Sequence, residues 1–359
     1  MPALPPIPDL SPGLPKGARI AVAMSGGVDS SVVAGWFHAT GYEVVGITLL
    51  LEGCCSIGDA EEVCATIGGV PHHVIQHSEA FREEVINPFL AAYAAGETPN
   101  PCVRCNRIIK FGTLLDYAEK LGCAAMATGH YARILHGPGG AELHKGRDAR
   151  RDQSYFLSNI PRERLAKILF PLGDMSKSDT RALAETLGLP VAHKPDSQDF
   201  CFSGGLSFRD YMAKNLPESV KPGPILDMEG REIGQHAGIA FHTVGQRRGL
   251  GISSEIPLFV VKIDATRNAI IVGPREALAV QKVELSGVNL LLPEAPDGPL
   301  AGEAKLRSAQ APAPCTFTLE GEGRAALGFA APQYGVSPGQ AGVFYMGTRV
   351  IAGGKIVKA

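Results

Sequence analysis

The chain has 359 residues and a mass of 37.8 kDa, enough for two or three domains with cores of their own. A net charge of −2, from 34 basic and 36 acidic residues, excludes a protein coated in positive charge but leaves room for a local basic patch that binds nucleic acid. An apolar share of 45% excludes general disorder, and eight cysteines are too sparse here for a disulfide-stapled secreted scaffold.

The first sixteen residues, MPALPPIPDLSPGLPK, hold six prolines and no arginine. They read as a disordered leader rather than a secretory or mitochondrial signal. No apolar run approaches the roughly 20 residues that span a bilayer, so the expected setting is a reducing cytoplasm with free thiols and no membrane partner. Residues 18–24 read as a buried strand, 29–39 as a helix with Val32, Val33, Trp36 and Phe37 on one side, and 42–50 as a second strand. A helix over 59–67, a strand over 70–75, helices over 79–95 and 104–121 and a strand over 123–128 follow. This alternation predicts a parallel α/β sheet with right-handed crossovers. After about residue 205 the chain becomes glycine-rich and loses helical periodicity. From about 256 short Val/Ile/Leu runs separated by Gly, Pro, Asn and Asp predict antiparallel strands of a small barrel or sandwich. The expected division is a leader over 1–16, an α/β domain over 17–205, a central module over 206–278 and a β-barrel domain over 279–359.

Three segments carry chemistry. The first is Met24-Ser25-Gly26-Gly27-Val28-Asp29-Ser30-Ser31, between a buried strand and a helix. Its glycines let backbone approach an anion, the helix start presents free N–H groups, and the serines add hydroxyls. A plain strand-to-helix turn is the bland alternative; the spacing fits neither a Walker A loop nor G-x-G-x-x-G. The second is Thr98-Pro99-Asn100-Pro101-Cys102-Val103-Arg104-Cys105-Asn106. Cys105 is predicted in the first turn of a helix, flanked by Arg104 and Arg107, where a thiol pKa falls. Cys102 and Cys105 also read as half a zinc site, with Cys54, Cys55 and Cys64 as partners in composition only, or as a redox pair. The third is Asp196-Ser197-Gln198-Asp199-Phe200-Cys201-Phe202, where Cys201 reads equally as a packed thiol or a loop thiol. His72, His73 and His77 cluster at a strand end, but the adjacent pair faces opposite ways and argues against a metal site. His130 is expected at a strand end.

Together with ATGHYARI (127–134), RDQSYFL (151–157), LFPLGDMSKSDTR (169–181), FHTVGQRRGLGI (241–252) and SPGQAGVFY (337–345), these strings resemble the bacterial tRNA-specific 2-thiouridylases, within the ATP pyrophosphatase superfamily whose loop is SGGxDS. The resemblance runs through most of the chain. It implies a tRNA-uridine 2-sulfurtransferase: ATP adenylates O2 of the wobble uridine, and a persulfide delivers sulfur to C2 and releases AMP. It implies Cys105 as nucleophile and Cys201 as persulfide acceptor, the two pairing as a disulfide during turnover. It places ATP on Ala23, Met24, Ser25, Gly26, Gly27, Val28, Asp29, Ser30, Leu49 and Gly129. Mg2+ is expected on the phosphates, with Asp29 as a contact. It places tRNA on Arg151, Asp152, Gln153, Arg307 and Ser308, and expects a sulfur-carrier protein or cysteine desulfurase relay as donor. Many members carry Asp where this chain has Cys102, and an aromatic where it has Ser308. Three cysteines, 102, 105 and 201, could then hold a [4Fe–4S] cluster. The basic tract 145–152 and the pair Arg247-Arg248 read as solvated loops that become plausible phosphate contacts beside these motifs. The rival readings are an amide synthetase with the same loop, which needs neither cysteine, and a non-catalytic tRNA-binding or iron–sulfur sensor protein.

Overall fold

The computed structural model describes residues 4–5, 14–51, 57–195, 200–321 and 323–358. The N-terminal sheet has five parallel strands, in spatial order His72–Gln76, Glu43–Leu50, Arg19–Ala23, Ala125–Ala127 and Ile168–Leu169. The parallel α/β expectation holds, for the reason given by the pattern: the strands run apolar on both faces and helices cover both. On one face the helix Val28–Ala39 seats Val32, Val33, Trp36 and Phe37. On the other lie the helical segments 78–94 and 101–120, which bury Phe81, Phe89, Ile109 and Phe111. Both segments contain a π-helical stretch, Arg82–Ile86 and Asn106–Leu114.

Of the leader, Leu4 and Leu14 pack against the core and the Pro5 carbonyl accepts a 2.8 Å hydrogen bond from Trp36 Nε1. These described residues are anchored, contrary to the expectation of a wholly disordered leader; a Trp indole N–H that is buried needs an acceptor, and proline backbone supplies it.

The central module is a four-stranded sheet in the order Phe259–Asp264, Ala269–Gly273, Gly223–Leu226, Glu232–His236. Ala269–Gly273 runs parallel to Gly223–Leu226, so the run of strands after 256 is not wholly antiparallel, and its first two strands serve this module rather than the barrel. Six antiparallel strands close the C-terminal barrel, because Val280–Leu290 pairs with both Arg324–Gln333 and Arg349–Lys358. Closure leaves these six strands without a free edge. The hairpin of Ala132–Gly137 and Gly140–Lys145 leaves the first sheet and joins the barrel's side at Arg349 opposite His144. That hairpin ties the residues after His130 to the C-terminal domain. Among the described residues no helix is long and apolar enough to cross a membrane.

Candidate active site

The strand Arg19–Ala23 runs straight into the glycine loop. Gly26 has φ +71°, and Gly27 caps the helix with no side-chain bond, so the first N–H groups of Val28–Ala39 are left to a ligand. The serines shape the loop as well as line it. Ser30 Oγ donates to the Gly27 carbonyl at 3.2 Å and accepts from Ser25 N–H at 3.2 Å. Ser31 is fully buried and donates to the same carbonyl at 2.8 Å, so it braces the loop and offers nothing to an anion. Gly129, after the strand Ala125–Ala127, presses against this turn: a Cβ there would lie 2.8 Å from the Asp29 carbonyl carbon and 2.9 Å from Ser30 N.

Asp29 does not stand open to a metal. Lys177 Nζ lies 2.7 and 2.8 Å from its two oxygens, and Tyr131 Oη donates to it at 3.0 Å. Lys194 donates to the Gly26 carbonyl at 3.1 Å and pairs with Asp59. Two lysines therefore hold the loop from the far side, a feature with no motif signature because the ring of partners spans 168 residues of sequence.

The helix bearing Cys102 and Cys105 begins at Pro101, three residues earlier than expected. Asn100 caps it, its Oδ1 accepting from Cys102 N–H at 3.2 Å, and proline suits the first helical position. Cys102, not Cys105, therefore occupies the first turn, and Cys105 lies one turn on. The π-helical stretch that follows shifts the helix's periodicity. Cys102, Asn106, Lys110 and Leu114, at steps of four, line one cavity together with Cys105. Val103, Arg104, Arg107 and Ile108 line a second cavity of ≈ 290 Å³ behind the helix, against the barrel. Arg104 is engaged there by Glu84 at 2.7 Å. Neither flanking arginine faces the thiols; the cation on their face is Lys110, which sequence reasoning missed. Its signal was the four-residue spacing from Cys102 and Asn106.

Cys201 is exposed, which settles the even choice in favour of a loop thiol. Its neighbours are the anchors. Phe202 is buried and meets Phe81, Phe89 and Tyr211 edge-on, with centroids 5.4–5.9 Å apart, and Phe200 stacks edge-on to Phe202 at 4.9 Å. Two clamped aromatics thus turn the residue between them outward. Asp196, Ser197, Gln198 and Asp199 lie outside the described residues, as do Cys54 and Cys55.

These elements enclose one cavity of ≈ 300 Å³. Ala23, Met24, Ser25, Asp29, Ser30, Leu49 and Gly129 line one end, and Cys102, Cys105 and Cys201 the other. Gly26, Gly27 and Val28 form the loop without lining the cavity; Val28 is buried beneath it. Cys102 is an exposed residue, but the protein crowded around its thiol desolvates it and raises its pKa above the usual range; the nearby Cys201 adds to this, while the Lys110 charge pulls the other way. His130 is half-buried, lining the cavity between Phe111 and Phe170, with Nδ1 2.7 Å from Thr128 Oγ1. Desolvation, helped by Lys110, drops its pKa well below 6.5, so it is an uncharged imidazole at pH 7. Cys64, Cys123 and Cys315 are buried away from the cavity, and burial pushes Cys64 up to about 11 and Cys315 up to about 12.

The tRNA-contact expectations divide. Arg151 is exposed beside the exposed Arg147 and Arg150, and Arg247 and Arg248 are exposed as well. Gln153 lines the cavity while its Oε1 accepts from Tyr131 N–H at 2.9 Å. Asp152 is internal: it accepts from Gly146 N–H, Ser154 N–H and Ser154 Oγ. Arg307 is turned inward: its Nη2 donates to the Val244 carbonyl and to Ser337 Oγ at 2.7 Å, so it joins the central module to the barrel. Ser308, next to it, is half-buried. The causes differ: Asp152 satisfies the backbone of its own loop, whereas Arg307 is drawn into the junction between the central module and the barrel and satisfies a carbonyl there.

The metal expectations are not met by this geometry. Among the described residues no three His, Cys, Asp or Glu side chains are grouped to hold a metal, and Cys102, Cys105 and Cys201, although in one cavity, form no such set. The histidines follow the same rule: His72 bonds Thr48 Oγ1 at 2.8 Å while its neighbour His73 meets Tyr117.

Three family models match the chain in succession: the tRNA methyl transferase HUP domain over residues 18–205, the tRNA methyl transferase PRC-barrel domain over 209–274, and the aminomethyltransferase beta-barrel domain over 280–356. The chain is 47% identical to the tRNA-specific 2-thiouridylase MnmA of Parvibaculum lavamentivorans, covering 97% of this chain and 92% of that protein. It is 46% identical to the protein of the same name from Rhodospirillum centenum, over 96% and 93%. For that of Magnetococcus marinus the identity is 45%, over 94% and 99%.

Proposed function

The chain belongs to the tRNA-specific 2-thiouridylase family, and from that premise we propose that it activates the wobble uridine of tRNA with ATP and replaces its O2 with sulfur in the cavity described above. The observation that carries the reading is one space shared by a phosphate loop and by three thiols. An amide synthetase would need the first and not the second.

Uracil O2 attacks the α-phosphorus of ATP; the O2–P bond forms, the bond to the β-phosphate bridge breaks, pyrophosphate leaves with the electron pair and N3 gives up its proton. The glycine loop and the free N–H groups of the helix at Val28 receive the phosphates. Asp29, a carboxylate of the cavity wall, is engaged by Lys177 and Tyr131; a magnesium ion carried by the nucleotide would supply neutralisation of the phosphate charge there. The terminal sulfur of a Cys201 persulfide then attacks C2. The C2–S bond forms, the C2–O bond breaks, and AMP leaves with the former uracil oxygen. Cys105 attacks Cys201 Sγ, the bond to the transferred sulfur breaks, and that sulfur keeps the electron pair while N3 is protonated again. A Cys105–Cys201 disulfide results, and an external thiol reductant reopens it. Exposure suits Cys201 to receive sulfur from a carrier protein or desulfurase, and an exposure of only 7% suits Cys105 to act inside the cavity. Lys110 places a positive charge beside the sulfur anions. The exposed arginines 147, 150, 151, 247 and 248 would carry the tRNA backbone.

The test is 2-thiouridine content of tRNA from cells lacking the protein and complemented with wild type, Cys105→Ser or Cys201→Ser. Wild type restores the base and neither variant does; full thiolation with Cys105→Ser refutes its assignment.

A further inference from the structure

Asn106 lies beside Cys105 in the cavity wall and has no part in the chemistry above. It is a polar side chain in an almost wholly buried position, 3% exposed. Its Nδ2 donates to the Phe156 carbonyl at 3.0 Å, which sets the orientation of the amide, because a carbonyl can only accept. The other end, Oδ1, is sealed from water and has no hydrogen-bond partner among the described residues. A buried acceptor left unpaired costs about 1–3 kcal/mol, so such an atom calls for a donor from outside the chain, an ordered water or a ligand, and in a cavity wall a ligand can be that donor.

We propose that Asn106 Oδ1 is the group that identifies the target base as uracil, by accepting the hydrogen bond of its N3–H. The proposal rests on the thiolation reading and deepens it. A base turned into this cavity is read on its Watson–Crick edge. At position 3 uracil carries a donor, whereas cytosine carries a bare lone pair, which would face Oδ1 as acceptor against acceptor. The placement fits the chemistry: C2, where sulfur arrives, is bonded to N3, and Asn106 is adjacent in the chain to the thiol that resolves the transfer. Since Oδ1 is covered when the cavity is empty, the incoming base parts the wall at this point, and the anchored Nδ2 keeps the amide turned the right way. The amide acts before adenylation, while N3 still holds its proton, and again when the thiolated base regains it.

The experiment measures dissociation constants of the full-length protein for two tRNA transcripts that differ only in uridine or cytidine at the wobble position, alongside thiolation of the uridine transcript. Wild type should prefer uridine by about 10–100-fold, the equivalent of one acceptor left facing a lone pair. Asn106→Ala removes the acceptor, and the preference should fall to about onefold. Asn106→Asp breaks the bond to Phe156 yet keeps an acceptor at the same place, so the preference should survive even where overall affinity drops. A purely structural role for Asn106 predicts that both variants weaken the two RNAs equally. An unchanged ratio in Asn106→Ala, or a ratio lost equally in Asn106→Asp, overturns the proposal. A wild-type protein that binds neither RNA and makes no 2-thiouridine would instead refute the functional reading itself.

Discussion

Replacing Gly129 by alanine tests whether the glycine-loop end of the cavity, the proposed ATP site, is as tightly built as the structure shows. A Cβ at this position would sit 2.8 Å from both the carbonyl carbon and Cβ of Asp29 and 2.9 Å from Ser30 N, about 0.6 Å short of ordinary contact. These are atoms of the helix's first turn, not the tip of a flexible chain, so the phosphate loop itself must give way. Forcing an extra methyl into packed backbone costs about 1–3 kcal/mol. Misplacing a reacting group by 1 Å costs about 100-fold, so a shift of this size predicts a loss of about 10-fold in kcat/KM for ATP. The assay is tRNA-dependent pyrophosphate release over a range of ATP concentrations, with a melting curve on the same protein. Alkylation of the exposed Cys201 serves as a control and should keep its wild-type rate, since that loop is anchored by a separate aromatic cluster. Wild-type pyrophosphate release together with a wild-type melting temperature would refute the reasoning.

Two further outcomes follow from the same geometry. Arg307→Ala should lower stability by about 2 kcal/mol, through loss of charged hydrogen bonds to Val244 and Ser337, while the salt dependence of tRNA binding keeps its slope; a reduced slope with unchanged stability would return Arg307 to the RNA surface. His242 is buried against His236, at 5.8 Å between ring centres, and burial, with His236 and Arg209 nearby, lowers its pKa to about 4. The unfolded chain takes a proton near pH 6.5 that the folded one refuses, so stability is complete above that pH. It should fall by about 3 kcal/mol as pH drops towards 4. Melting temperatures of wild type and His242→Gln across this range check the sign: the variant's curve should be flatter.

The parts of this protein legible in its sequence are those that neighbouring residues decide. Apolar runs and amphipathic spacing fix the strands and helices of the parallel sheet, and a glycine pair between strand and helix marks the phosphate loop wherever the rest of the chain goes. Cys105 and Cys201 were identified by motif, and one cavity does bring them together with Cys102. Tertiary structure decided which residues face that cavity and which are consumed elsewhere. The start at Pro101 and the π-helical stretch after Cys105 alter the periodicity from which sequence reasoning assigns a face, so Lys110 and Asn106 turn inward and Arg104 and Arg107 turn away. Arg307 carries the charge of an RNA contact but is engaged by the Val244 carbonyl and Ser337 at a junction of distant segments, Asp29 is claimed by a lysine 148 residues away, and Asp152 is taken by its own loop, at Gly146 and Ser154. The hairpin at 132–145 joins the barrel because its partner strand, Arg349–Lys358, lies more than two hundred residues on. Periodicity and turn chemistry are local and can be read along a chain; the choice of partner for a charge or a strand edge is made only when the chain has closed on itself.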